Sequence, residues 1–163
     1  MKVVILAGGF GTRIRDVADD IPKPMIPIGP FPIIWHIMNT YSKFGYTDFI
    51  ICLGYKGQLI KDFFLNYKPY TSDFTISFSE NGGIQFHNKS QHSNWTVTLV
   101  DTGLKSMTGS RISRIRDFIG PEDFMLTYGD GVSDINIKKL VKFHYSHNKI
   151  LTVTGVRPPG RFG

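Results

Sequence analysis

Three glycines within four positions, Gly8, Gly9 and Gly11, follow directly on a short apolar run from Val3 to Leu6. Thr12 and Arg13 close the stretch, and Lys23 stands further on between Pro22 and Pro24. Glycine lets the backbone bend at positive φ, and without a Cβ it lets a bulky anion sit against main-chain N–H groups. Arg13 and Lys23 add two permanent cations on the same side of the turn. A strand, a glycine turn and two cations make a site for a polyphosphate. Glycines alone would as readily make a tight turn among solvated charges; Thr12-Arg13 and the proline-bracketed lysine decide for phosphate. Two familiar phosphate loops are excluded. A Walker A loop closes with Gly-Lys-Ser/Thr, which this chain lacks. The dinucleotide fingerprint needs a glycine three residues after Gly11, where Ile14 stands, so a nicotinamide or flavin enzyme is not expected.

The elements that must position these groups read as an alternation of strands and helices. Val3 to Leu6 is continuously apolar, as a parallel strand buried on both faces should be. Pro27, Pro30 and Pro32 keep the chain irregular, after which Pro32 suits a helix start and Gly45 its end. Ile34, Ile37, Met38 and Tyr41 give that helix one apolar face, with His36 a packed or capped side chain. Asp48 to Leu53 reads as a second strand, and Leu59, Ile60, Phe63 and Phe64 as a second amphipathic helix. The middle differs: Phe74 to Phe78 alternates, Asn81-Gly82-Gly83 is a turn signal, and Ile84 to His87 returns as a hairpin partner. Trp95 to Val100 is another strand, Asp101 to Ser110 a looser stretch, and Ile112, Ile115 and Ile119 a short helix. Phe124 to Tyr128 is a strand ending at Gly129-Asp130-Gly131. Ser133 or Asp134 caps a helix with Ile137, Leu140, Val141 and His144 on its face, and Ile150 to Val156 is the last strand. The fold class is therefore α/β: a Rossmann-like, mostly parallel twisted sheet with helices on both faces and a β-hairpin insertion in the middle. In such sheets ligands bind outside the carboxyl ends of the strands, where both the glycine turn and Asp130 fall. Asp130 between two glycines would by itself be a turn former; its place at a strand end makes it a site candidate.

Composition sets bounds on this reading. A chain of 163 residues with 41% hydrophobic residues can bury a core as one domain. No apolar run approaches a membrane span, and no long apolar stretch precedes the glycines as a secretory signal would require. Cys52, the sole cysteine, lies inside the second strand and reads as a small core residue in a reducing compartment. These features lead us to expect a cytoplasmic protein. A formal charge of +6 favours an anionic ligand. The basic residues are scattered, and Arg111, Arg114 and Arg116 make no continuous helical stripe, so nucleic acid is not the expected partner. His87 and His92 lack partners at metal-ligand spacing and read as surface residues, and His144 and His147 as exposed ones.

Leu6 to Arg13 followed by Lys23-Pro24-Met25 resembles the sugar-nucleotide pyrophosphorylases, the nucleotidyltransferases that join a nucleoside triphosphate to a sugar 1-phosphate. Pro32 to Met38, Cys52 to Gly57, Trp95 to Gly103, Thr127 to Gly131 and Pro158 to Gly163 narrow the resemblance to members that use CTP and glucose 1-phosphate. The resemblance implies an attack of the sugar phosphate on the α-phosphorus of CTP, with pyrophosphate leaving and no protein nucleophile. It implies nucleotide contacts at Leu6, Ala7, Gly8, Gly9, Phe10, Gly11, Thr12, Arg13, Lys23, Ser106, Arg111 and Gly129. Arg13 would hold the leaving pyrophosphate, Lys23 would sit between the α-phosphate and the sugar phosphate, and Asp130 would hold Mg²⁺ as the metal ligand. Arg13, Lys23 and Asp130 are thus the expected catalytic groups. The partners implied are CTP and a sugar 1-phosphate, with no nucleic acid and no membrane, and a homo-oligomer remains open.

Two stretches depart from the family pattern. Ser110 stands where a second glycine is usual, which touches the base pocket, and Asp16 to Ile21 differs from the usual polar loop. The resemblance also implies a chain continuing past Gly163, with a Glu-Lys-Pro segment for the sugar phosphate and a second metal-binding aspartate. Residues 1–163 are then expected to be the nucleotide-binding part of a nucleotidyltransferase domain. Two other readings stay open: a catalytically silent nucleotide-binding remnant, and a pyrophosphorylase for another nucleotide or sugar.

Overall fold

The computed structural model describes residues 1–10, 21–87 and 94–156. Contacts divide the chain into two units, Met1–Ser133 and Asp134–Gly163. The first holds a sheet of four parallel strands: β1 (Lys2–Leu6), β4 (Asp48–Leu53), β7 (Thr96–Asp101) and β8 (Phe124–Tyr128), in the order β7-β4-β1-β8. Strands β1, β4 and β7 step outward in one direction. The chain then returns to place β8 on the other side of β1, so the order reverses between β1 and β8.

The two central strands explain their own composition. In β1, Val3 and Ile5 face one side and Val4 and Leu6 the other, as the two-residue repeat of a strand requires. The neighbouring β4 divides in the same way, Phe49, Ile51 and Leu53 against Ile50 and Cys52. Both faces need cover, hence the unbroken apolar runs. One face is covered by α1 (Ile33–Ser42) through Ile34, Ile37 and Met38 and by α2 (Gly57–Leu65) through Ile60. The other is covered by α4 (Thr108–Arg114) and α5 (Arg116–Ile119) through Ile112, Ile115 and Ile119. Each fully buried aliphatic or phenyl group contributes roughly 1.5–3 kcal/mol. Register then aligns the strand ends: Leu6 lies opposite Cys52 in β4 and opposite Tyr128 in β8.

The expected helix over Pro32 to Gly45 forms, with Pro32 as its N-cap and Gly45 at φ 88° closing its exit. The prolines before it are less irregular than expected: β2 (Pro27–Ile28) and β3 (Phe31–Pro32) make a two-residue antiparallel ladder. His36 Nε2 donates to the Ile28 carbonyl at 2.9 Å, the capped role expected of it. A short helix, α3 (Tyr67–Thr71), was not anticipated; the Tyr67 hydroxyl accepts from Trp35 Nε1 at 2.9 Å. The hairpin is present as β5 (Phe74–Ile76) and β6 (Ile84–Phe86), with His87 exposed beside Thr75. His92 lies outside the described residues.

The second unit corrects three expectations. Helix α6 (Ile137–His147) is capped by neither Ser133 nor Asp134: the Asn136 side chain accepts from Lys139 N at 3.0 Å. His144 and His147 are half-buried rather than exposed, both within hydrogen-bond distance of Thr152 Oγ1, at 2.8 and 2.9 Å. Ile150 to Val156 carries no strand among the described residues. Its alternation is real, but a strand is made by its ladder and packing rather than by an alternating run.

Candidate functional site

The first turn of the site begins where β1 stops. Beyond Leu6 the chain continues the ladder, Ala7 N donating to Cys52 O at 3.0 Å and Tyr55 N to Gly8 O at 3.3 Å. Gly129 N donates to Leu6 O at 2.9 Å, so the turn after β8 is pinned to the same strand. A Cβ at Gly129 would meet both Leu6 O and Pro24 Cγ at 3.1 Å, a close approach that explains the glycine. Lys23–Met25 forms one turn of 3-10 helix with Pro24 buried. That turn presents Lys23 to Asp130, Nζ to Oδ2 at 3.8 Å, with the lysine side chain 20% and the aspartate 45% exposed.

These groups border a cavity of about 410 Å³ at the carboxyl end of β1 and β8, the crevice where the strand order reverses. Leu6, Ala7, Gly8, Gly9 and Phe10 form one wall, Lys23, Pro24, Tyr128 and Asp130 a second, and 104–108 with Arg111 a third. The structure therefore brings together Leu6 to Phe10, Lys23, Ser106, Arg111 and Asp130 of the expected site residues, with Gly129 beside them. Gly11, Thr12 and Arg13 lie outside the described residues.

Arg111 is 5% exposed, an unusual state for an arginine. Its Nη1 donates to Leu53 O at 2.8 Å and to Thr102 Oγ1 at 2.7 Å. Its Nη2 donates to Gly8 O at 2.9 Å and, more weakly, to Leu104 O at 3.4 Å. Thr102, fully buried, turns its hydroxyl proton to Leu53 O at 2.7 Å. Burial pulls the guanidinium down from its ordinary value, Cys52 and Asp101 working against that shift and Arg114 with it. The room at Gly8 is filled by this guanidinium: a Cβ there would overlap it. At Gly54 a Cβ would lie 2.6 Å from Gly8 O and 2.8 Å from Arg111 Nη1. Gly9, by contrast, faces open space. Of the two adjacent glycines, then, Gly9 is the one that leaves room for an anion.

Several lining groups were not named as site residues in the sequence. Lys105 adds a third cation to the cavity wall, and Leu104, Met107, Thr108 and Tyr128 add apolar and hydroxyl surface. Thr102 and Gly54 support it from behind. The sequence signal was faint: Gly54 and Thr102 fall in the residues directly after β4 and β7, where a parallel sheet places its ligand.

Asp130 offers carboxylate oxygens, the donor a hard cation takes, at the cavity wall, and among the described residues no group of three or more His, Cys, Asp or Glu could hold a metal ion by itself. A Mg²⁺ ion held there would complete its shell with phosphate oxygens and water.

A family described as nucleotidyl transferase matches residues 2–163. A glucose-1-phosphate cytidylyltransferase of Salmonella typhimurium is 51% identical across all of this chain, and a probable glucose-1-phosphate cytidylyltransferase of Bacillus subtilis is 44% identical. The chain spans 63% of the length of each of these relatives. Among solved structures, HddC from Yersinia pseudotuberculosis complexed with GMP-PN superposes with a TM-score of 0.65 at 27% identity, over 90% of this chain and 54% of that one. UDP-glucose pyrophosphorylase complexed with UDP-glucose has the same TM-score at 20% identity, over 90% of this chain and 53% of that one, which is a likeness of fold.

Proposed function

The chain belongs to the nucleotidyl transferase family, and we propose that it binds CTP in the cavity beside β1 and serves its transfer to glucose 1-phosphate, giving CDP-glucose and pyrophosphate. The identity of 51% to a cytidylyltransferase supports the choice of nucleotide and sugar. The observation that carries the reading is the Lys23–Asp130 pair, 3.8 Å apart, lining the same switch-point crevice as Gly9, where a Cβ would meet open space.

The attacking sugar phosphate is already an anion, so the task is to bring two polyanions together and to stabilise the charge that develops between them. Positioning and electrostatics carry such a reaction. Backbone N–H groups from Gly9 onward would cradle the triphosphate, and Arg13 would hold the pyrophosphate end through its planar fork. Lys23 would stand between the α-phosphate and the sugar phosphate. Asp130 would hold Mg²⁺, which when bound neutralises phosphate charge. Ser106 and its neighbours in the 104–108 wall would meet the base. We place the reaction in the cytoplasm, where a lone buried cysteine stays reduced.

The test is calorimetric titration of the chain with each of the four nucleoside triphosphates in the presence of Mg²⁺. CTP should bind at least tenfold more tightly than UTP, GTP or ATP. Equal affinities would reduce the cavity to a general phosphate site, and no CTP binding would overturn the reading.

A further inference from the structure

Arg111 is a cation of the site whose hydrogen bonds run into the protein. It stands in the middle of α4, yet its guanidinium reaches the trailing ends of three adjacent parallel strands. It donates to Leu53 O at the end of β4, to Thr102 Oγ1 just past β7 and to Gly8 O just past β1. A fourth, longer bond reaches Leu104 O, which lines the cavity on the same wall as Arg111. Among the described residues no carboxylate accepts from it. The titratable groups that act on it are Cys52, Asp101 and Arg114, and it borders the cavity.

The bond to Gly8 O has a geometric consequence. A peptide group is planar and trans, so its carbonyl and the following N–H point in opposite directions. Holding the Gly8 carbonyl inward, against Arg111 and Tyr55 N, turns the Gly9 N–H the other way. Gly9 is the glycine with open space around it and lines the cavity. The glycines at 8 and 54 leave the volume that the guanidinium occupies.

We propose that Arg111 is a positioning residue for the phosphate turn: through Gly8 O it sets the direction of the Gly9 N–H, and through Leu104 O and its own helix it ties that turn to the wall that meets the base. This rests on the reading of the cavity as a triphosphate site. It differs from a direct contact with the base, and the two make opposite demands on partial ligands.

The experiment dissects the ligand. Wild type, Arg111→Met and Arg111→Lys are titrated with magnesium pyrophosphate, which has no base, and with cytidine, which has no phosphate. The expected result is that Arg111→Met weakens pyrophosphate at least tenfold and leaves cytidine within threefold. Arg111→Lys, which keeps the charge but lacks the planar fork, should fall between it and wild type. Unchanged pyrophosphate binding with lost cytidine binding would overturn the proposal in favour of a base contact. A wild type that binds neither pyrophosphate nor CTP would overturn the proposal together with the functional reading beneath it. Should Arg111→Met fold poorly, Gly8→Ala supplies the second arm, because its Cβ displaces the guanidinium. Combined with Arg111→Lys it should weaken pyrophosphate no more than the worse of the two single changes. Multiplicative losses would show that the two residues act separately and would overturn the proposal.

Discussion

Cys52 and Arg111 sit within electrostatic reach of each other beneath the site, and each disturbs the other's proton. Cys52 is fully buried, and burial pushes its thiol up from 9.0 to about 11, with the Arg111 charge pulling weakly the other way. The neutral thiol is therefore the form the fold accepts. Below pH 9 the thiol is protonated in both folded and unfolded chains, and the stabilisation is complete. Between about 9 and about 11 the unfolded chain ionises while the folded one does not, so stability falls as pH rises through that window. The full loss is on the order of 2–3 kcal/mol at 1.36 kcal/mol per unit. Urea midpoints measured from pH 8 to 10 should decline in wild type and decline less in Cys52→Ala. Tyr41 and Tyr67, both raised by burial, add to the decline as pH nears 10, but they do so in both proteins, so the difference between the two curves reports the thiol. Parallel decline in the two proteins would show that the thiol is not the group responsible.

At the scale of elements, what could be read in advance depended on whether the deciding contact was local. The apolar runs of β1 and β4 announced strands buried on both faces, because a short unbroken run such as the five apolar residues from Phe49 to Leu53 needs cover on both sides. Lys23 and Asp130 were legible for a related reason: prolines and glycines around a charge fix where it points. Arg111 was not legible in this way. An arginine in a short helix normally reads as solvated, and its burial is decided by three strand ends and two glycines distant in sequence. Ile150 to Val156 shows the opposite failure, a sound local pattern without a ladder. The cap of α6 was expected at Ser133 or Asp134, and it falls to Asn136, an equally capable N-cap, because the helix begins at the buried Ile137. Asn136→Ala should therefore cost about 1 kcal/mol of stability in that unit, whereas Ser133→Ala and Asp134→Ala should each cost under about 0.5 kcal/mol. Amide exchange at Lys139, the N–H that Asn136 receives, should accelerate in the first variant alone.

For the molecule as a whole the governing quantity is a formal charge of +6, and the question is what that charge is arranged to hold. It is not a stripe. Arg111 is buried, Arg114 donates to Thr102 O, and Lys2 reaches Phe118 O, while Lys23 and Lys105 face the cavity. Charges gathered at one crevice attract a compact polyanion, whereas a nucleic acid needs cations repeated along a groove to release many counterions at once. The two arrangements differ in their response to salt. A Debye length shrinking from about 10 Å at 0.1 M to about 3 Å at 1 M screens the exposed cations of the cavity rim while leaving neutral base contacts untouched. CTP and pyrophosphate should therefore weaken by roughly tenfold, about 1.4 kcal/mol, over that range, and cytidine should not respond. An oligonucleotide lacking a terminal triphosphate should fail to displace CTP at about 0.15 M salt, where a basic groove would still compete. Displacement by the oligonucleotide, with a salt slope steeper than that of CTP, would mean that the positive charge serves a polymer along the surface and that the crevice is not its purpose.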